Sequence, residues 1–475
     1  MSRIEIPVFA ALVAIFAMHA SAQSVDAYAP QVMPTSLAIQ PDGKTIVVGN
    51  FLEVGTVART RVARLNVDGS LDTGFRDPDV NSEVKTVAIQ PDGKLLVAGG
   101  FDHVAGQLHN NLARLNADGT LDATFADPGF DGTVWSLALQ PDGKILAAGD
   151  FQNIGTTAQK YLARVNANGS FDSSFADPKL CCNVARSVAL QADGHVLVGG
   201  YFSQAGGTSH FYFARYSANG VFDAAFPAYP RDILAGSIIV APDGSLYVVD
   251  TGAHQILKLT PTGAAATGFT GAQADSTIDT FALQPDGKIV VGGIFQNVGG
   301  QPRHALARLN ADGSLDSTFR DVHVSFDATN ANGYVFALAE QADGATIAAG
   351  NFSLVDGHAH SWVARVRTGD AAGSAMTGQA SGTNTIVTWT RSGAGPEFVL
   401  PPQLLHSGDG VNYSVLGAMT HVAGGWQYTV PQAFAGPAFY VKARGTIAEG
   451  AGNGALGRID STAWSNDRIF ANGFD

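Results

Sequence analysis

The sequence predicts an all-β protein: a closed seven-bladed β-propeller followed by a small β-sandwich. Three observations carry this reading. A unit of about fifty residues recurs seven times between Ser36 and Arg367, and a fixed period of that length marks a repeat architecture. Each unit but the last holds two turn tripeptides flanked by short apolar runs, the signature of two β-hairpins. The seventh unit stops early, and a segment like its missing piece stands at the other end of the fold.

The elements follow in chain order. Residues 1–22 read as a signal peptide: Arg3, an apolar run from Ile6 to Met18, then Ala20-Ser21-Ala22. The run is too short to span a membrane. Cleavage after Ala22 would leave a protein that is secreted, on the cell surface or in the periplasm.

The propeller is expected over 23–368. In the first unit Ser36–Gln40 alternates, Pro41-Asp42-Gly43 interrupts, and Thr45–Val48 is apolar and β-branched. Proline presets φ at the first turn position, and glycine takes the left-handed third position. The corresponding glycines are Gly43, Gly93, Gly143, Gly194, Gly244, Gly287 and Gly344, with spacings of 50, 50, 51, 50, 43 and 57. A second hairpin turns at Val67-Asp68-Gly69. Two hairpins give the four antiparallel strands of one blade.

The second hairpin's register sets Arg64 opposite Asp72, a favourable cross-strand pair. The same pair recurs as Arg114 with Asp122, Arg164 with Asp172, Arg215 with Asp223 and Arg308 with Asp316. In the fifth unit both members change together, to Lys258 and Ala266. The arginines are therefore structural. The seventh unit ends at Val363-Ala364-Arg365-Val366 without its Asp. Ser24-Val25-Asp26-Ala27-Tyr28 supplies the missing strand, so Asp26 should face Arg365 and close the ring, removing an exposed sheet edge.

Gln-Pro-Asp-Gly-Lys, Gly99-Gly100-Phe101 and the run Leu112–Phe125 resemble the delta-60 repeats of secreted bacterial proteins. That resemblance implies a propeller-like fold and export, and it brings no catalytic residues. Beyond the ring, 369–382 is rich in small residues and reads as a linker. Residues 383–448 hold short strands around Trp389 and Tyr440 and are similar to a fibronectin type III sandwich. Residues 449–475 read as a C-terminal tail.

With 28 Lys and Arg against 41 Asp and Glu, the formal charge is −13, which argues against nucleic acid as a partner. The long connections after Gly-Gly-Phe and after Leu-Asp-x-x-Phe share one face, the default binding face. One position there differs in every unit: Thr35, Lys85, Trp135, Arg186, Gly236, Asp279 and Phe336. Lys85, Trp135, Arg186, Asp279 and Phe336 are the candidate ligand residues, with Trp135 offering a stacking surface. Two cations, one carboxylate and two aromatics on one rim suit a glycan, a peptide or an acidic small molecule; the alternative is a solvated rim with no ligand.

Cys181 and Cys182 are adjacent, on the same class of loop. They form a vicinal disulfide, or remain loop thiols, or one of them pairs between molecules. Asn310–Asp316 superficially resembles a calcium loop, but turn chemistry explains it. His358-Ala359-His360 is close-spaced, with no third ligand to name. No Gly-x-Ser-x-Gly, His-Glu-x-x-His or phosphate loop occurs. No catalytic residue, cofactor or metal is assigned. A non-enzymatic binding or adhesion protein is the first reading, and an extracellular hydrolase or lyase acting on a polymer is the alternative. Asp279, Asp131, Asp102 and His103 would then be the residues to examine.

Overall fold

The computed structural model describes residues 23–28, 30–228, 237–327, 332–367, 373–381, 384–393, 396–422, 425–431, 440–448, 450–451, 456–461 and 464–465. The expected signal peptide and Gly236 lie outside these. Every regular element described is a β-strand. Among the described residues, no helix is long and apolar enough to cross a membrane.

Each of the seven units contributes a three-stranded antiparallel ladder. In the second unit Val84–Ile89 pairs with Leu95–Gly99, which pairs with Leu112–Leu115. The fourth strand expected from the second hairpin shrinks to a single bridge, Leu115↔Leu121, repeated as Leu65↔Leu71 and Leu309↔Leu315. The cause is local: Asp122 Oδ1 accepts from Thr124 N at 3.0 Å, which turns the chain out of the ladder at once. All seven turn glycines have φ between 81° and 90°, a region that costs a side chain-bearing residue dearly.

The core is distributed between units rather than within them. Ala38, Ile46 and Val48 of the first unit pack with Val84, Val87 and Val97 of the second. Ala88 and Leu96 pack with Val134 and Leu137 of the third. The pattern continues through the sixth unit, whose Ala282 and Val290 meet Val335 and Leu338 of the seventh. Ala337, Ala339 and Ile347 of the seventh then pack on Leu37, Ile39 and Val47 of the first. Each unit's flat ladder has two apolar faces and needs a neighbour on both.

The N-terminus pairs with the seventh unit: Ser24↔Arg367 and Val25↔Val366. Asp26 Oδ2 accepts from Arg365 Nε at 2.6 Å, and Asp26 N donates to Arg365 O at 3.2 Å. Among the described residues, five of the repeat arginines also reach the next unit, and Arg308 Nη1 does not. Arg64 Nη1 donates to Ala117 O at 2.8 Å, Arg114 to Ala167 O at 2.7 Å, and Arg215 to Pro261 O at 2.8 Å. Arg365 Nη1 does the same to Val67 O of the first unit at 2.6 Å. The guanidinium is also stacked on the motif aromatic, Arg114 over Phe125 at 4.7 Å and Arg365 over Tyr28 at 4.9 Å. The arginine thus ties its own hairpin and staples one unit to the next.

The C-terminal part holds two further antiparallel sheets. One contains Gly373–Ser381, Asn384–Ser392, Gly425–Val430 and Thr420–Val422. The other contains Gln403–Ser407, Ser414–Ala418, Tyr440–Ala448 and Leu456–Asp460. Trp389, Phe398, Leu404, Trp426 and Val441 form their shared core. Two boundaries move. Gly373–Ser381, expected within the linker, is a nine-residue strand paired along its whole length with Asn384–Ser392. Leu456–Asp460, expected in the tail, is also a strand.

These sheets sit on the tight-turn side of the repeats. Arg458 is buried and Nη1 donates to Gln90 O at 2.9 Å and to Pro91 O. Glu397 N donates to Leu283 O at 2.9 Å. Gly450–Ala451 pairs with Ala337–Leu338, and Leu456 pairs with Ala88, both partners being first strands of repeat units. A cavity of ≈ 320 Å³ lies between the two parts, among Gln90, Gln140, Gln191, Leu400 and Arg444. The tight-turn side is thus covered, and the long-loop side carries the variable residues.

Candidate functional site

A shared backbone device aims the variable residues. In six units the pairing of the first two strands breaks register at one place, skipping Thr35, Lys85, Trp135, Arg186, Asp279 or Phe336. Each is the extra residue of a β-bulge, which bends the strand and redirects the side chain. The flanking residues, such as Val84 and Thr86, are buried, while the bulge residue is half-buried. The small residue after each bulge packs inward and leaves room for the larger one before it.

Three of these side chains form one stack. Lys85 Nζ lies 4.5 Å from the Trp135 ring centroid and Arg186 Cζ lies 4.1 Å from it. Lys85 comes from the unit before Trp135 and Arg186 from the unit after it. The indole holds the two cations and is not the open stacking surface expected from the sequence. Its Nε1 donor is buried with no acceptor among the described residues. Glu83 Oε1, 2.5 Å from Lys85 Nζ, offsets one positive charge. Arg186 also lies over Tyr201, 5.7 Å from that ring.

Asp279 faces the Tyr334 hydroxyl, which donates to it. Burial pushes the Asp279 carboxyl up to about 6, and the Tyr334 hydrogen bond only partly offsets this. Burial, then the Asp279 charge, pushes the Tyr334 phenol well above its ordinary value, while Arg186 pulls it down. Arg186 therefore acts electrostatically on both the Trp135 stack and the Asp279–Tyr334 pair. Phe336 meets Tyr334 edge-on at 5.3 Å and packs against the core between the seventh and first units. It is a wall rather than a polar contact. Thr35 Oγ1 donates to Val84 O at 2.8 Å and is spent on its neighbour.

Sequence comparison missed Glu83 and Tyr334. Both occupy the position two residues before the bulge residue, which also varies between units (Thr133, Val184, Thr277).

The other candidates are placed as follows. Cys181 and Cys182 are joined to each other as a vicinal disulfide. Cys181 N donates to Gln204 O and Cys181 O accepts from Ser203 N, both at 3.2 Å, which pins the pair to the long-loop side with Cys182 exposed. Asp131 holds backbone, accepting from Gln152 N at 2.8 Å and Asn153 N at 2.9 Å. Asp102 and His103 pair at 2.8 Å on the surface. Asp312 caps its own turn through Ser314 N and Oγ, as turn chemistry requires. His358 is exposed and His360 is buried against the Tyr28 backbone. Among the described residues, one group brings three metal-type ligand atoms within 4.8 Å: His304, Asp321 and His323.

The fold and the repeated units define an all-β protein built of β-propeller repeats. Five segments, 40–75, 90–125, 140–175, 191–226 and 284–319, match the family model described as "Domain of unknown function (DUF5122) beta-propeller". No curated protein matches the chain. Among solved structures, a catalytically inactive virginiamycin B lyase from Staphylococcus aureus with quinupristin is 12% identical, with a TM-score of 0.45, over 73% of this chain and 98% of that one. The extracellular domain of a hybrid two-component system from B. thetaiotaomicron is 10% identical, with a TM-score of 0.46, over 90% of this chain and 55% of that one. Nothing about this chain's ligand follows from these likenesses.

Proposed function

We propose that this chain is a secreted, non-enzymatic binding protein. Its seven units close into a seven-bladed propeller, and the long-loop side binds a carboxylate-bearing ligand: an acidic glycan, a peptide or an acidic small molecule. The C-terminal sandwich, fibronectin type III-like in this reading, is an accessory or attachment module. Residues 1–22 direct export in this reading and are cleaved off after Ala22.

The observation that carries the reading is the convergence of bulge residues from neighbouring units. Lys85 and Arg186 are held by Trp135, so little side-chain entropy remains to be lost on binding. Arg186 offers a forked donor suited to a carboxylate. The Trp135 Nε1 donor is buried and unmatched, and a ligand oxygen would satisfy it. Closure is supported by the Asp26–Arg365 pair, the Arg365–Val67 staple and the apolar packing of the seventh unit on the first. A closed ring fixes these loops relative to one another.

The test is a screen of the mature protein against acidic oligosaccharides, peptides and metabolites, repeated with Trp135→Ala/Arg186→Ala. Binding by the wild type and its loss in the double variant, at an unchanged melting temperature, is the expected result. Retained affinity in the double variant would move the site elsewhere.

A second reading has one observation behind it. A carboxyl held near 6 beside a tyrosine hydroxyl is suited to acid–base chemistry. Under that reading the protein is an extracellular hydrolase or lyase of a polymer. Product release that vanishes in Asp279→Asn while binding persists would favour it.

A further inference from the structure

We propose that His304, Asp321 and His323 form a site for a divalent transition-metal ion of the zinc class. This site is separate from the bulge residues and stands whether or not the binding reading above holds.

The scaffold is common to several units. Asp77 Oδ1 accepts from Thr60 N at 3.2 Å and Asp79 N at 3.1 Å. Asp127 Oδ1 accepts from Asn110 N at 3.0 Å and Gly129 N at 2.9 Å. Asp321 Oδ1 does the same work, with His304 N at 2.9 Å and His323 N at 3.1 Å. Loop organisation therefore explains the aspartate; its second oxygen, which takes Asn110 Nδ2 at 2.6 Å in the second unit, faces two histidines in the sixth.

What differs in the sixth unit is the pair of residues around that aspartate. Thr60 or Asn110 becomes His304, and Asp79 or Gly129 becomes His323. Both imidazoles turn Nδ1 toward the second oxygen: His304 Nδ1 is 2.6 Å and His323 Nδ1 3.8 Å from Asp321 Oδ2. Their rings lie 4.1 Å apart. A loop aspartate needs no histidine, and one hydrogen bond needs only one. Two imidazole nitrogens and a carboxylate oxygen within 4.8 Å of one another are a borderline N,N,O donor set, which suits zinc and its neighbours.

The backbone around the site is fixed. Asp356 N donates to Val322 O at 3.0 Å, and Asp356 Oδ2 pairs with Arg320 at 2.5 Å. Adjacent ligand atoms around tetrahedral zinc stand roughly 3.3 Å apart, from bonds of about 2.0–2.1 Å. The two distances above bracket that separation. All three residues are half-buried, which leaves a fourth position for water or for a ligand group.

The experiment uses tag-free mature protein stripped with chelator and then titrated with Zn²⁺ by calorimetry, and with Co²⁺ by visible absorption. One equivalent of Zn²⁺ and the bands of four-coordinate Co²⁺ are expected. Both should disappear in His304→Ala/His323→Asn, and both should persist in a His103→Gln/His358→Gln control. Asn tolerates the left-handed backbone at 323, where φ is 41°, so the single His323→Asn variant tests the same point if the double variant does not fold. A wild type that binds no stoichiometric metal, or a variant that binds as the wild type does, would overturn the proposal and leave a hydrogen-bonded loop.

Discussion

Arg365 Nε and Asp26 Oδ2 stand 2.6 Å apart, although 339 residues separate them in the chain. Every other complete Arg–Asp pair of the repeats is local, eight residues apart. The geometry is the same in both cases, so the N-terminal segment substitutes for the piece that the seventh unit lacks.

Removing that segment should destabilise the whole repeat region. Asp26→Ala is expected to cost roughly 1.5–3 kcal/mol, the usual worth of a hydrogen bond to a charged group. Deleting residues 23–33 should cost more, because buried Tyr28 is lost as well. Urea unfolding of both variants measures this. A deletion no costlier than Asp26→Ala would mean that the segment merely lies on the surface.

The staple arginines should behave as coupled pairs. Arg164 is almost wholly buried and holds Asp172 at 2.7 Å. Arg164→Met leaves Lys144 as that carboxylate's one cation, beside the Ser174 donors, and should cost roughly 3–5 kcal/mol. Arg164→Met with Asp172→Ala should cost less than the sum of the two single changes, as the natural Lys258/Ala266 pair suggests. Strict additivity in a double-mutant cycle would refute the coupling.

Ligand binding should depend on pH near 6. Asp279 is neutral below its raised pKa of about 6 and negative above it. Its charge would oppose an anionic ligand held by Arg186. Affinity should therefore fall as pH rises from 5 to 7, and Asp279→Asn should flatten the profile. Calorimetry across that range reads the effect, and an unchanged profile in the variant would assign the titration elsewhere.

Stability should carry a second pH signature, from Glu340. Burial pushes this carboxyl up to about 7, against its hydrogen bonds from Thr346 and Gln284. A raised folded pKa means that the stabilising contribution is complete below the ordinary value of 4.5 and is lost as pH rises toward 7. The span corresponds to roughly 3 kcal/mol at about 1.4 kcal/mol per unit. Glu340→Gln should abolish that part of the slope in urea unfolding measured between pH 4.5 and 7.5.

Glu340 also shows what sequence reading passes over. It replaces an aliphatic residue, such as Ile39 or Ile89, at the end of a first strand, yet nothing local marks it as buried. The metal-type cluster was hidden for a related reason. His304 and His323 are nineteen positions apart, and only the shared Asp321 brings them together. The close-spaced pair His358 and His360 looked better in sequence, but His358 is exposed on a two-residue strand while His360 is buried just beyond its end.

The sequence by itself determined the repeat, its hairpins and the Arg–Asp register, because these rest on turn chemistry and on strand period, both local and repeated several times over. It also determined the pairing of Asp26 with Arg365, since repetition exposed the gap. Tertiary structure alone decided the Lys85–Trp135–Arg186 stack, the partnership of Asp279 with Tyr334 and the covering of the tight-turn side by the C-terminal sheets. Those contacts join different units or different halves of the chain. No local rule specifies them, and they exist only once the units have packed against one another.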